Sequence, residues 1–317
     1  MKTHDTYPLG PRRLRMRRVP TGKRVSPRYR DIEIFKAIHH HGPLSADYLH
    51  EFTKHIHQDP KSTRIRLRDL FHEDATPHGG AYLMRPLEQA STIDARYNKL
   101  VYDLTPAAER VLQERGLWSE NAPKKRRPFP HTANLAAFTA SLELGFRERG
   151  IPCTLRHQIL DEADTTLSID VSYPWNKETL TGTLEPDSLI TADFGHKQVT
   201  FAIEWDEGTE RGETDKHTVK SYKRSILQYR ELVGRGLYKE HYRLGHGMVV
   251  LYAFKIEAFR KKFMRVLGDI TGSNNYIATQ TVPDLPPYFK PPPLFTSPFD
   301  GYWERVGQTP IKLFPWT

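Results

Sequence analysis

Asp187, in Leu184-Glu185-Pro186-Asp187, and Glu204, in Phe201-Ala202-Ile203-Glu204-Trp205-Asp206-Glu207-Gly208-Thr209-Glu210, are the residues whose types and spacing best suit chemistry. Between them lies a turn, Asp193-Phe194-Gly195-His196-Lys197, flanked by runs that read as strands. A turn centred between Gly195 and His196 pairs residues whose numbers sum to 391, and 187 and 204 form such a pair. The two carboxylates then face each other across a hairpin, with Cβ atoms about 5 Å apart. Acids that close repel unless a cation sits between them, so the arrangement points to a divalent metal on oxygen ligands. The alternative is an amphipathic edge hairpin whose acidic side is merely solvated.

The second strand alternates cleanly. Val199, Phe201, Ile203 and Trp205 share one face, and Ala202, Glu204 and Asp206 share the other. This predicts a buried apolar face and a presented acidic one.

The elements that must hold this hairpin follow from the same patterning. A helix is expected over His131 to Arg149, with Leu135, Phe138, Leu142 and Phe146 on one side. Strand-like runs come next, around Thr154 to Ile159, Leu167 to Tyr173, Gly182 to Ala192 and Val199 to Asp206. A long helix is expected from about Glu213 to Val233. His246 to Phe254 lacks polar alternation and reads as a fully buried strand, and Phe259, Phe263 and Leu267 line another helix.

Ahead of residue 131 the chain has a different character. Residues 1–30 carry ten Lys or Arg against Asp5 alone, a net of +9 that equals the net charge of the whole chain. With four prolines and few apolar residues, this arm is expected to be disordered when free and to bind polyanions through Arg12, Arg13, Arg15, Arg17 and Arg18. Residues 31–118 read as a small helical domain. One amphipathic helix stops at Gly42-Pro43, Ser45 starts a second, and a third follows Asp59-Pro60. That third helix buries Leu67, Leu70 and Phe71 and sets Lys61, Arg64 and Arg68 on its other side, with Arg66 at the flank. Two strand-like pieces, Ala81 to Met84 and Leu100 to Leu104, are joined by a loop carrying Arg85, and Thr105-Pro106 opens a last helix. Three helices, a two-stranded wing and a closing helix resemble a winged helix-turn-helix domain, with the third helix entering the DNA major groove. The alternative is a packing domain with a solvated basic face.

Residues 119–130, polar, basic and Pro-rich, read as a linker to a second domain over 131–281. Residues 282–317 combine Pro286-Pro287 and Pro291-Pro292-Pro293 with Phe289, Phe295, Phe299, Tyr302, Trp303, Phe314 and Trp316. So many aromatics need a surface, so a strap packed back on the protein is expected; the other reading is a tail that docks a partner protein. A chain of 317 residues accommodates two domains. Without a long apolar run or a leader pattern, it is expected to be cytoplasmic and to engage no membrane. Its single cysteine, Cys153, rules out an internal disulfide and a cysteine zinc site.

Helix, hairpin with Pro186-Asp187 and Glu204-Trp205-Asp206, then helix and strand resembles the PD-(D/E)xK restriction-endonuclease-like core. Together with the N-terminal winged helix, His131, and the run Ile203 to Glu210 ahead of a Lys- and Tyr-bearing helix, the pattern resembles the replication-relaxation family of plasmids and mobile elements over residues 31–255. The fold so implied is α+β or α/β, a winged helix followed by an αβββαβ nuclease-like domain. The resemblance implies DNA as partner, with a homodimer as a further expectation. It also implies Asp187 and Glu204 as ligands of Mg²⁺ or Mn²⁺, with Asp206 assisting. In active members of that nuclease class a lysine follows the second acid by two positions; here that position is Asp206. Lys220 or Lys216 on the following helix would then supply the cation, and Glu143 matches the helical acid of many such enzymes, although a solvated glutamate reads equally well. Two functions stay open: metal-dependent nicking or cleavage of DNA, and a non-catalytic replication or transcription regulator.

Overall fold

Ile32, Ile34, Phe35 and Ile38 recur at helical spacing, and in the computed structural model they form the buried side of helix α1, Tyr29–His41. The structure describes residues 15–92, 94–95, 97–123, 127–208, 219–282, 285–286 and 288–314. Asp31 caps α1 by accepting from the Arg28 amide at 2.8 Å, and the helix closes at Gly42, whose φ of 107° a side chain would resist. Strand β1 (Leu44–Ser45) and helix α2 (Ala46–Thr53) follow, then α3 (Pro60–His72), which starts with proline behind an Asp59 cap. Strands β2 (Leu83–Met84) and β3 (Val101–Leu104) pair antiparallel, and β1 joins the far side of β3 to give the order β1-β3-β2. Helix α4, Pro106–Glu114, closes the set. The two-residue β1 carries no period a sequence could display.

Contacts divide the chain into two units, residues 1–140 with 285–294 and residues 141–284 with 295–317, and the division falls inside helix α5, Phe129–Glu148. The second unit holds strand β4 (Cys153–Leu155), helix α6 (Arg156–Ala163), strands β5 (Ile169–Trp175), β6 (Glu178–Leu184), β7 (Ser188–Asp193) and β8 (Gln198–Asp206), and helices α7 (Tyr222–Gly234) and α8 (Leu237–His241). Strand β9 (Gly247–Phe254), helix α9 (Glu257–Thr271), strand β10 (Ile277–Thr281), helix α10 (Ser297–Asp300) and strands β11 (Trp303–Arg305) and β12 (Gln308–Ile311) complete it. A seven-stranded mixed sheet runs β12-β11-β10-β9-β8-β7-β4, parallel only across β8, β9 and β10. β5 and β6 form a separate hairpin. Helices α7 and α9 cover one face through Tyr222, Ile226, Tyr229, Phe263 and Leu267. On the other face Phe146 stacks on Phe201, Phe299 meets Phe146 edge-on, and Phe295 stacks on Trp205.

Several expectations change here. The run Gly182 to Ala192 is two strands in two sheets, because Pro186 has no amide to continue a ladder. The expected strand from Thr154 to Ile159 ends at Leu155 and turns into α6. The acidic side of β8 is not presented to water, since α7 lies over it. Within residues 15–30 the basic arm packs on the domain: Val25 is buried, its amide donating to the Ala75 carbonyl at 3.2 Å, and Glu73 accepts from the Thr21 and Lys23 amides. Arg12 and Arg13 lie outside the described residues. The tail, read as a strap, supplies the buried Phe295, Phe299 and Trp303 and the strands β11 and β12; Trp316 lies outside the described residues.

One ion pair ties α1 to α3. Arg66 donates from Nε and Nη2 to the Asp31 carboxylate at 2.5 to 3.2 Å, and from Nη2 to the Ser26 carbonyl at 2.8 Å. Asp31 is fully enclosed. Removing one partner of such a pair strands a buried charge, so Arg66→Met should lower unfolding free energy by about 3 to 5 kcal/mol in urea titrations. The double variant Asp31→Asn with Arg66→Met should recover much of that loss.

Candidate functional site

The β7–β8 hairpin keeps the register read from sequence. Asp193 faces Gln198, Leu189 faces Ala202 and Ser188 faces Ile203, each pair summing to 391. The turn is set by Gly195 at φ 82°, whose amide donates to the Asp193 carboxylate at 2.8 Å. Regular pairing stops at Ser188, the residue after Asp187, and Asp187 continues it differently. Its amide donates to the Ile203 carbonyl at 2.9 Å, while its Oδ2 accepts from the Trp205 amide at 2.8 Å. A carboxylate thus takes the acceptor place left after Pro186.

Glu204 and Asp206 point to the α7 side of β8, opposite Phe201, Ile203 and Trp205. Tyr229 donates its hydroxyl to Glu204 Oε1 at 2.5 Å, and Tyr222 donates to Asp206 Oδ2 at 2.9 Å. The two tyrosines are seven residues apart, two turns of α7, which matches the two-residue step along the strand. Asp206 Oδ1 also accepts from the Gly208 amide at 2.5 Å, where φ is 83° and Ile256 leaves no room for a Cβ. Burial, followed by the Glu204 charge, pushes the Tyr229 phenol well above its usual range. Asp187, Glu204 and Asp206 are each 6% exposed or less. Among the described residues no three His, Cys, Asp or Glu side chains are arranged to hold a metal. Two carboxylates are nonetheless the hard oxygen donors that Mg²⁺ takes alongside phosphate and water.

The remaining acid-site residues separate. Glu143, on α5, is buried in an ion pair with Arg147 and acts on Cys153, which faces Ala192. Five residues along the strand at about 3.3 Å each put Ala192 roughly 16 Å from Asp187, so Glu143 acts at the other end of the hairpin. Lys220 is exposed, two residues before Tyr222, and Lys216 lies outside the described residues. Sequence reasoning passed over Lys255, just after β9, which pairs with Glu207 at 3.1 Å while its amide donates to the Asp206 carbonyl. It also passed over Tyr222 and Tyr229, although their seven-residue spacing was visible. Desolvation, with Glu143 adding to it, pushes the Cys153 thiol up to about 12, so it is no nucleophile near neutrality.

The expected DNA-binding residues also sort into two groups. Lys61, Arg64 and Arg68 are exposed on α3, with Ile65 exposed among them and Leu67, Leu70 and Phe71 buried behind. Arg17 is exposed as well. Arg66 is consumed by Asp31. Arg85 lies 3.8 Å over the Phe71 ring and donates to the Arg15 carbonyl and the Tyr102 hydroxyl, and burial lowers its affinity for the proton. Arg15 donates to the carbonyls of Ala95 and Asn98, and Arg18 to those of Phe71 and Leu83. These four arginines hold the fold; they are not a free basic surface.

A family model described as replication-relaxation matches residues 35–247. No curated protein and no solved structure matches the chain.

The phenol on Glu204 has a measurable weight. Tyr229→Phe keeps the ring and deletes the donor, leaving a buried carboxylate oxygen short of a hydrogen bond. Unfolding free energy should fall by about 1 to 3 kcal/mol at pH 7, read from denaturant titrations.

Proposed function

This chain belongs to the replication-relaxation family, and on that premise we propose that it binds duplex DNA in the replication or relaxation of a mobile element. The order helix, strand, two helices, two antiparallel strands in the first unit reads as a winged helix-turn-helix with α3 as its recognition helix. In the second unit the part of α5 from Ser141, with β4, β7, β8, α7 and β9 in sheet order β4-β7-β8-β9, reads as the αβββαβ core of restriction-endonuclease-like proteins. The observation that carries the proposal is the α3 face: Lys61, Arg64 and Arg68 stand clear of the domain while the opposite side of the same helix is anchored. Guanidinium groups so displayed can donate in pairs to guanine edges, and Lys61 at the helix start can neutralise a phosphate.

Arg64→Ala and Arg68→Ala should each cost about 1 to 3 kcal/mol of discrimination between a selected site and random duplex, while Lys61→Ala should weaken both equally. Competition binding at several salt concentrations reads both effects. Deleting residues 1–14, which carry Arg12 and Arg13, should flatten the salt dependence.

A second reading, strand cleavage, is supported by the β7–β8 hairpin, whose register, carried one residue past Ser188 and Ile203, would bring Asp187 opposite Glu204. Asp187 and Glu204 are the carboxylates that would hold Mg²⁺ or Mn²⁺, and such an ion would supply positive charge beside the attacked phosphate. Asp206 then orients Tyr222 and the Gly208 turn, and Lys220, exposed two residues before α7, would be the cation that accompanies the phosphate. Purified protein should nick supercoiled plasmid weakly with either metal, lose the activity in Asp187→Ala and Glu204→Ala, and weaken in Lys220→Ala, with DNA binding retained in all three. Plasmid that is bound yet stays supercoiled would leave the non-catalytic regulator as the function.

A further inference from the structure

Arg30 is a cation the fold encloses without neutralising. It is 9% exposed, and its Nη1 has no hydrogen-bond acceptor among the described residues. The negative group nearest to it in effect is Asp31, and that carboxylate is already held by two nitrogens of Arg66. Arg28 and Arg66 add further positive charge, and desolvation pulls the Arg30 pKa down. Lys23 is matched by Asp69 at 2.5 Å. With those two ion pairs closed, Arg24, Arg28 and Arg30 make no ion pair of their own among the described residues. They line one cleft of about 500 Å³, between residues 23–30 and α3, to which Ser62 and His57 also contribute.

A buried guanidinium short of acceptors costs free energy unless an anion completes it. We propose that this cleft is an anion site in which Arg30, flanked by Arg24 and Arg28, holds a phosphate of the nucleic-acid backbone. The inference rests on the DNA-binding reading for the source of that phosphate, although not for the site itself. The cleft is bordered by Ser62 and Ile65 of α3, the helix whose exposed face carries Lys61, Arg64 and Arg68, so a strand seated there would fix how the helix meets the groove. Tyr29, exposed beside it, offers an aromatic face to the same strand.

The test uses the full chain, inorganic phosphate and random duplex DNA. Replacing chloride by phosphate at constant ionic strength should raise the unfolding temperature of the wild type and leave Arg30→Met unmoved. Arg30→Met should be no less stable than wild type in chloride, because it removes an unmatched buried charge. Its affinity for duplex should fall about tenfold, and the slope of log affinity against log salt should drop by about one, the loss of one phosphate contact. Should Arg30→Met fail to fold, the exposed pair Arg24→Ala with Arg28→Ala provides the same two readouts. An unchanged phosphate response together with an unchanged salt slope overturns the site while leaving DNA binding through α3 intact. A phosphate response that disappears in the variant, in a protein that binds no duplex, upholds the site with free phosphate as its ligand and rejects the DNA-binding reading instead.

Discussion

A carboxylate on a strand covered on both faces must find donors inside the protein, and most of what is specific to the second unit follows from that requirement. Glu204 and Asp206 lie in β8, between the α7 face and the aromatic face of the sheet. They are 4% exposed each, so donors come from the protein: α7 brings Tyr229 and Tyr222, and the turn after the strand brings the Gly208 amide. The seven-residue spacing of the tyrosines fixes the rotation of α7 about its axis. Gly208, with its positive φ and Ile256 against the place of a Cβ, fixes where the chain leaves the strand. The acids are therefore positioned to within a hydrogen bond before any ligand arrives. That is the preorganisation a binding or catalytic site needs, and equally what a purely structural polar network would show.

The first unit solves the same problem with opposite charges. Its basic sequence distributes arginines between two uses that composition alone cannot separate. Arg66, Arg85, Arg15 and Arg18 spend their donors on Asp31 and on backbone carbonyls, binding the segment after residue 14 to α3 and the β2–β3 pair. Lys61, Arg64 and Arg68 are left in water by the geometry of one helix face. A guanidinium has five donors in a rigid fork, so it suits both tasks, and only its neighbours decide which one it performs.

Legibility in the sequence divided along the same line. Strict period-two alternation in β8 and a five-residue turn around Gly195 were enough to set the hairpin register to the residue, because a slip by one would turn Phe201 and Ile203 out of the core. Helices with apolar stripes, α1 and α3 among them, were equally visible. What the pattern could not show was the environment of polar residues. The acidic side of β8 looks solvent-facing in sequence, since nothing local reveals that a helix sixteen residues later will cover it. The break at Pro186 lies inside a run with continuous strand propensity, so the change of sheet is apparent only from the missing amide. Arg66 reads only as the flank of α3, because Asp31, the acid that claims it, is thirty-five residues away. Long-range charge pairing leaves no periodic trace.

The sheet also has a consequence for the order in which the protein can be made. β8, β9 and β10 are laid side by side in parallel, and the outer edge of β10 is covered only when β11 arrives, with β12 beyond it. Gly145 on α5 meets the Phe299 ring so closely that even a methyl group would overlap it, and that ring is translated about 150 residues later. A nascent chain emerging from the ribosome therefore carries an open strand edge and an unfilled aromatic socket until residues 299–311 have followed. During that interval the β10 edge can pair with another chain, which makes the closing segment a guard against self-association during synthesis as well as a part of the finished sheet.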